Sequence, residues 1–133
     1  MIFLLDVNAL MALGVFQHAL HQRVSDWVRS LDRVPPWELL TCSVTELGFV
    51  RVLAQTPHYG LTVEQSKDLL MGLKRRSGLH LRFVADDHEI SELPPWVRLP
   101  KQITDGHLLE LARANGASLA TLDQGIPGAL LIP

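Results

Sequence analysis

Four acidic residues at widely separated points of the chain have the residue types and settings of a single catalytic site. Asp6 and Asp123 each follow directly on a short apolar run, and Asp105 opens a segment with helical spacing. Glu46 shares the apolar face of its predicted helix, because the residues three, four and seven positions later are apolar. A buried carboxylate without a partner costs several kcal/mol. Each such acid therefore needs a partner.

Divalent cations are the partners that such a cluster would take. Converging carboxylates repel one another and some would stay protonated unless cations neutralise them. Mg²⁺ and Mn²⁺ both prefer oxygen ligands, and one or two such ions would activate a water and stabilise the leaving oxygen of a phosphodiester. The expected chemistry is hydrolysis of a nucleic-acid backbone. Taken singly, Asp6 could instead cap a helix, Asp105 could complement a helix dipole and Asp123 could form a turn.

The pattern of apolar residues predicts strands that alternate with helices. Predicted strands cover residues 2–5, 37–42, 81–84, 118–122 and 130–132. Predicted helices cover residues 8–13, 18–30, 44–55, 62–77 and 105–115, with Asn8, Ser43, Thr62 and Thr104 as helix-capping residues. This alternation predicts an α/β fold, a three-layer α/β/α sandwich around a mostly parallel sheet. Ligands of such sheets bind beyond the carboxyl ends of the strands, where the four acids lie.

Length and composition indicate the number of domains and the surroundings in which the protein works. The chain has 133 residues, of which 47% are hydrophobic, and we expect one domain over residues 1–133. The formal net charge of −2 names no partner, and no apolar run is long enough for a membrane span. Because no basic segment lies ahead of the first apolar run, we expect no signal peptide. Since the single Cys42 can form no internal disulfide, we expect a cytoplasmic protein without membrane association.

The acidic motifs together resemble a known family. The chain is similar to PIN-domain ribonucleases of the VapC toxin type in Phe3-Leu4-Leu5-Asp6-Val7-Asn8, Thr45-Glu46-Leu47-Gly48-Phe49-Val50-Arg51, Thr104-Asp105-Gly106-His107-Leu108-Leu109 and Leu119-Ala120-Thr121-Leu122-Asp123. The match runs in order along nearly the whole chain. It departs from the pattern at Gly106-His107, where many relatives carry Ala and an aromatic residue, and in the proline-rich stretch 94–100.

The resemblance implies a magnesium-dependent endoribonuclease toxin that acts on RNA. Asp6, Glu46, Asp105 and Asp123 would be the catalytic, metal-binding acids, with Asn8 and Thr121 as supporting polar residues. The cofactor would be one or two Mg²⁺ or Mn²⁺ ions. The resemblance further implies neutralisation by a cognate antitoxin and a homodimeric assembly.

Two other functions use the same features. A catalytically silent PIN scaffold would bind RNA or a protein partner, and the complete set of acids argues against it. A phospho-receiver-like signalling module also places acids at strand ends, but it would need an acid pair after the first strand and a lysine near the last. The dense basic stretch Lys74-Arg75-Arg76 is either a solvated helix end or a contact for RNA phosphates. Asp86 and His107 are interpreted as a polar turn and a partly exposed helix residue.

Overall fold

Five strands pair in parallel to form the single sheet at the centre of the molecule. A computed structural model describes residues 1–133. The strands are β1 (Ile2–Leu5), β2 (Glu38–Thr41), β3 (Leu81–Phe83), β4 (Ser118–Thr121) and β5 (Leu130–Leu131), in the spatial order β3-β2-β1-β4-β5. The helices are α1 (Val7–Gly14), α2 (His21–Leu31), α3 (Ser43–Gln55), α4 (Val63–Lys74) and α5 (Ile103–Ala114). Every strand pairing is parallel, which agrees with the mostly parallel sheet expected from the sequence.

The sheet separates two hydrophobic clusters, because successive side chains of a strand point to opposite faces. Phe3 and Leu5 pack with helices α1 to α4 on one face. Leu4 packs with helix α5 on the other face. The predicted three-layer α/β/α architecture is therefore confirmed. None of the helices combines the length and the apolar character that crossing a membrane requires.

The N-terminal caps of the first two helices differ from the prediction. Asp6, and not Asn8, caps α1, because its Oδ1 accepts a hydrogen bond from the backbone N–H of Ala9 at 2.8 Å. Helix α2 begins at His21 and not at residue 18, since His18 forms a turn in which its Nδ1 accepts from the N–H of Leu20 at 3.0 Å. The acid that ends β1 therefore also fixes the start of α1.

Among the caps of the later helices, one agrees with the prediction and two differ from it. The capping box at Thr62 is confirmed, with Gln65 exchanging two hydrogen bonds of 3.0 Å with it, although α4 ends at Lys74 and not at residue 77. Cys42 replaces Ser43 as the N-cap of α3. Helix α5 is not capped by Thr104, because it begins at Ile103 directly after a short 3₁₀ turn. Both differences lengthen the helix that carries a site acid.

A glycine accounts for the position of α5 against the proline-rich stretch. A Cβ atom on Gly106 would overlap the side chain of Val97 and touch Pro94. The absence of a side chain therefore lets the first turn of α5 lie directly on this stretch. This close approach gives a physical reason for the departure at position 106, and it fixes the turn that carries Asp105.

Candidate active site

Asp6 is held rigidly at the carboxyl end of the central strand β1. Its Oδ1 caps α1, and its Oδ2 accepts a hydrogen bond from the Thr121 hydroxyl, which comes from the end of β4. The backbone N–H of Asp123 in turn donates to the Thr121 oxygen at 3.0 Å. Since β1 and β4 are neighbouring parallel strands, this chain of bonds joins two predicted acids and one predicted supporting residue across the sheet edge.

The charges of three predicted acids act on one another at this edge. Burial raises the pKa of Asp6 above the usual carboxyl value, and the negative charge of Asp123 adds to the rise, although hydrogen bonds from Thr121 and Ala9 oppose it. Burial likewise raises the pKa of Asp105, followed by the charges of Asp6 and Asp123. The carboxylate of Asp105 gains no hydrogen bond that would offset this cost. The structure therefore brings Asp6, Asp105 and Asp123 into one electrostatically coupled group.

Glu46 lies in the first turn of α3, directly after β2, and has partners of its own. Its Oε2 accepts a hydrogen bond from the Thr41 hydroxyl and forms an ion pair with Nζ of Lys74 at 2.7 Å. Its Oε1 takes part in neither contact. Glu46 is thus placed at the same end of the sheet as the three aspartates, but in this conformation a lysine of the same chain neutralises it.

The structure does not show contacts for the predicted supporting residue Asn8 or a ready-made set of metal ligands. Asn8 is exposed on α1 and its side chain makes no hydrogen bond, so its supporting role stays a prediction. No three Asp, Glu, His or Cys side chains meet at one point with the spacing of metal ligands. The acids share an edge and a charge environment, and a metal ion would require some of their side chains to turn towards it.

Two residues of this edge, Thr41 and Lys74, were not predicted as part of the site. Thr41 ends β2 and donates to Glu46, as Thr121 ends β4 and donates to Asp6. A signal was present in the sequence, because both threonines are the last residues of apolar strands. Lys74 was interpreted only as part of a basic stretch, and its contact with Glu46 depends on how α3 and α4 pack.

A second polar pair lies beside the site. Asp86, three residues after β3, accepts a hydrogen bond from Nε2 of His107 on α5 at 2.5 Å and another from the N–H of His88 at 3.1 Å. Although burial opposes it, the bond from His107 holds the pKa of Asp86 below its usual range. The pair ties the segment after β3 to the helix that carries Asp105. Asp86 forms a polar turn through its bond with His88 and His107 is a partly exposed helix residue, as expected, but the sequence did not predict the bond between Asp86 and His107.

A parallel α/β/α sheet with acidic residues at the carboxyl ends of its strands defines an α/β domain whose ligand site lies at that edge of the sheet. Comparison with known proteins gives the family. The chain is 37% identical to ribonuclease VapC38 of Mycobacterium tuberculosis over 126 residues, which cover 92% of this chain and 86% of the relative. It is 36% identical to ribonuclease VapC44 of the same species, with coverage of 92% and 87%. It is 31% identical to ribonuclease VapC29, with coverage of 95% and 89%. No family model matches the chain.

Solved structures show the same fold. The crystal structure of VapC20 of Mycobacterium tuberculosis, a toxin that cleaves the sarcin-ricin loop, has a TM-score of 0.62 at 14% identity, and 98% of each chain is covered. VapBC2 of Rickettsia felis, bound to a DNA fragment from its promoter, has a TM-score of 0.65 at 15% identity, with 98% and 96% covered. The chain belongs to the VapC family of PIN-domain ribonucleases. This assignment confirms the resemblance and disfavours the receiver-like module.

Proposed function

We propose that this chain, acting as one PIN-like unit over residues 1–133, is a divalent-metal-dependent endoribonuclease of the VapC toxin type. The observation that carries the proposal is the carboxylate of Asp105, which lies in the field of Asp6 and Asp123 without any cationic or hydrogen-bonding partner. A fold does not keep mutually repelling acids at one edge for its own stability. Function is the reason to hold them there.

The donor set fits Mg²⁺ or Mn²⁺ in its chemistry. All candidate ligands are carboxylate oxygens, which hard divalent cations prefer, and a cation would remove the repulsion that raises the pKa values of Asp6 and Asp105. We propose Asp6, Glu46, Asp105 and Asp123 as the metal-binding and catalytic residues. When bound, one or two such ions supply a water of lowered pKa and neutralise charge on the leaving oxygen.

The chain's own residues orient this site. Thr121 fixes the Asp6 carboxylate by its hydroxyl, and the α1 N-terminus fixes the other oxygen of that carboxylate. Glu46 keeps Oε1 available while Thr41 and Lys74 hold Oε2. Hydrogen bonds that orient the ligands are required for pre-organised catalysis.

Removal of divalent cations tests the proposal. We expect purified chain, freed of any co-purified inhibitor, to cleave RNA in Mg²⁺ or Mn²⁺ and to stop in excess EDTA. Because an ion that binds the native state stabilises it, Mn²⁺ should also raise the melting temperature of the metal-free protein by a concentration-dependent amount. Gel electrophoresis of several RNA classes and a thermal scan measure the two effects. Intact RNA in every lane, from folded protein, would favour the silent PIN scaffold.

The hydroxyl of Thr121 gives a narrower test. We expect Thr121→Val to lower the cleavage rate about 10- to 100-fold, because loss of a group that orients a metal ligand has effects of this size. Thr121→Ser keeps the donor and should keep most of the activity. Initial rates at saturating Mg²⁺ measure the difference. A valine variant as fast as the serine variant would show that the bond to Asp6 has no catalytic role.

Protein partners form the last part of the proposal. We propose that a cognate antitoxin neutralises the chain and that the chain forms homodimers, as the family assignment suggests. A surface feature supports contact with proteins. Helices α3 and α4 border an open, mainly apolar groove of about 530 Å³, in which Leu47 and Val63 are 66% and 65% exposed. Apolar patches of this kind mark interaction sites.

A further inference from the structure

An exposed aromatic ring and a lysine lie together at the edge of the site. Phe83 is the last residue of β3 and is 46% exposed. The ammonium of Lys74 lies over its ring, 5.4 Å from the ring centroid. The same ammonium is 2.7 Å from Oε2 of Glu46, so the ring, the cation and a proposed metal ligand form one contiguous group.

The register of the sheet explains why these groups meet. Phe83 is paired with Thr41 across β2 and β3, and side chains of paired residues in parallel strands lie on the same face. Thr41 bonds to Glu46 on that face. Lys74 ends α4, which packs against α3, and its side chain reaches Glu46 from there. The Phe83 ring and the Glu46 carboxylate of the proposed active site therefore lie side by side on one face of the sheet.

We propose that Phe83 and Lys74 form a subsite for one unpaired nucleotide of the RNA substrate, with the base on the face of the Phe83 ring opposite Lys74 and a phosphate oxygen on the Lys74 ammonium. The inference rests on the proposed ribonuclease function and adds the residues that hold the strand beside the acids. A base stacks on an aromatic face whatever its identity, and an adjacent cation binds the backbone.

The chemistry of both groups leaves room for this ligand. A lysine ammonium has three N–H donors, and Glu46 accepts one of them. The Lys74 side chain is 23% exposed. Almost half of the surface of Phe83 is in water, so part of its ring is accessible to a ligand. Duplex RNA would not fit this subsite, because its bases are stacked on each other and offer no free face.

The experiment measures binding of a fluorescein-labelled single-stranded RNA of about 12 nucleotides by anisotropy in EDTA, where the proposed nuclease does not cleave. We expect Phe83→Ala to weaken binding about tenfold and Phe83→Trp to preserve or strengthen it, since tryptophan offers a larger stacking surface. Lys74→Met should weaken binding and lower the slope of log K against log salt by about one.

Two exposed residues of the same types outside the subsite serve as matched controls. Phe16 is 81% exposed outside the site, and Lys67 is exposed earlier on α4. Phe16→Ala and Lys67→Met should leave RNA affinity unchanged, and thermal scans show whether each variant is folded. Wild-type affinity in folded Phe83→Ala, equal losses in Phe83→Ala and Phe83→Trp, or no binding by the unmodified chain would each overturn the subsite.

Failure of the subsite and failure of the proposed function give different results. If the unmodified chain cleaves RNA in Mg²⁺ and Phe83→Ala leaves KM unchanged, the proposed function is supported and the subsite is wrong. If the chain does not cleave RNA but binds it in a Phe83-dependent way, the proposed function is wrong and the subsite is supported. If Phe83→Ala abolishes binding of a protein partner and leaves RNA affinity unchanged, the surface serves protein recognition and the nucleotide subsite is wrong.

Discussion

Replacing Asp105 with Asn is expected to lower the rate of RNA cleavage by at least about a hundredfold, since a bound cation contributes several kcal/mol to transition-state stabilisation. Asparagine keeps the shape of the side chain and removes the negative charge. Asp105 has no other partner in the structure, so its charge has no structural function to lose. Initial cleavage rates in Mg²⁺ with a labelled RNA measure the effect.

The same variant should not be less stable than the wild-type chain when metal is absent. Burial and the charges of Asp6 and Asp123 raise the pKa of Asp105, which means that its ionised form is disfavoured in the folded state. Asparagine removes this repulsion, and we expect an equal or higher melting temperature in EDTA. The stabilisation by Mn²⁺ should become smaller, because one oxygen ligand with full charge is lost.

Asp87→Asn is the matched control for this pair of effects. The Asp87 side chain is 95% exposed and does not belong to the group of Asp6, Asp105 and Asp123. The cleavage rate and the melting temperature of the Asp87→Asn variant should therefore match those of the wild type. A cleavage rate of Asp105→Asn within a few fold of wild type would contradict the assignment of Asp105. A large loss of stability in EDTA would contradict the electrostatic argument and assign Asp105 a structural role.

Truncation of Phe49 is expected to cost about 3–5 kcal/mol of unfolding free energy, a large part of the 5–15 kcal/mol typical of a domain. The Phe49 side chain is fully buried on α3 and is the largest of the fully buried side chains. Its ring and Leu73 of α4 both lie against Gly14 at the end of α1. Phe49→Ala would therefore leave a cavity at the point where three helices meet. Urea unfolding followed by circular dichroism measures the loss.

Two comparison variants test the expected loss of stability in Phe49→Ala. Leu47→Ala removes an apolar side chain from the same helix, but Leu47 is 66% exposed, and we expect a change within about 0.5 kcal/mol. Phe49→Leu keeps most of the apolar volume and should lose clearly less than Phe49→Ala. A loss below about 1 kcal/mol in Phe49→Ala would show that this part of the core relaxes around the missing ring.

Loss of Phe49 also bears on the active site. The packing of α3 against α4 brings Lys74 of one helix to Glu46 of the other. A folded Phe49→Ala variant should therefore lose RNA-cleaving activity beyond the fraction of unfolded chain, and refolding at lower temperature should restore only part of it. This makes the α3–α4 contact a support of the site as well as of the core.

The sequence alone determined the order of strands and helices, the parallel three-layer fold and the candidate acids. Short apolar runs that end at Asp6 and near Asp123 favour buried strands of a parallel sheet, because the strands of such a sheet are covered on both faces. The parallel arrangement then places both acids at one edge. The resemblance to the family followed from the same residues, since their order along the chain matches its acidic motifs.

Only the tertiary structure decided which side chains meet at that edge. The bond from Thr121 to Asp6, the ion pair of Lys74 with Glu46 and the placement of Phe83 beside it join residues that are far apart in the chain. Sheet register and the packing of α3 on α4 set these contacts, and both arise from the fit of many apolar side chains at once. Local spacing predicts which face a residue occupies, but the partner on the neighbouring element is fixed by the packing of the whole core.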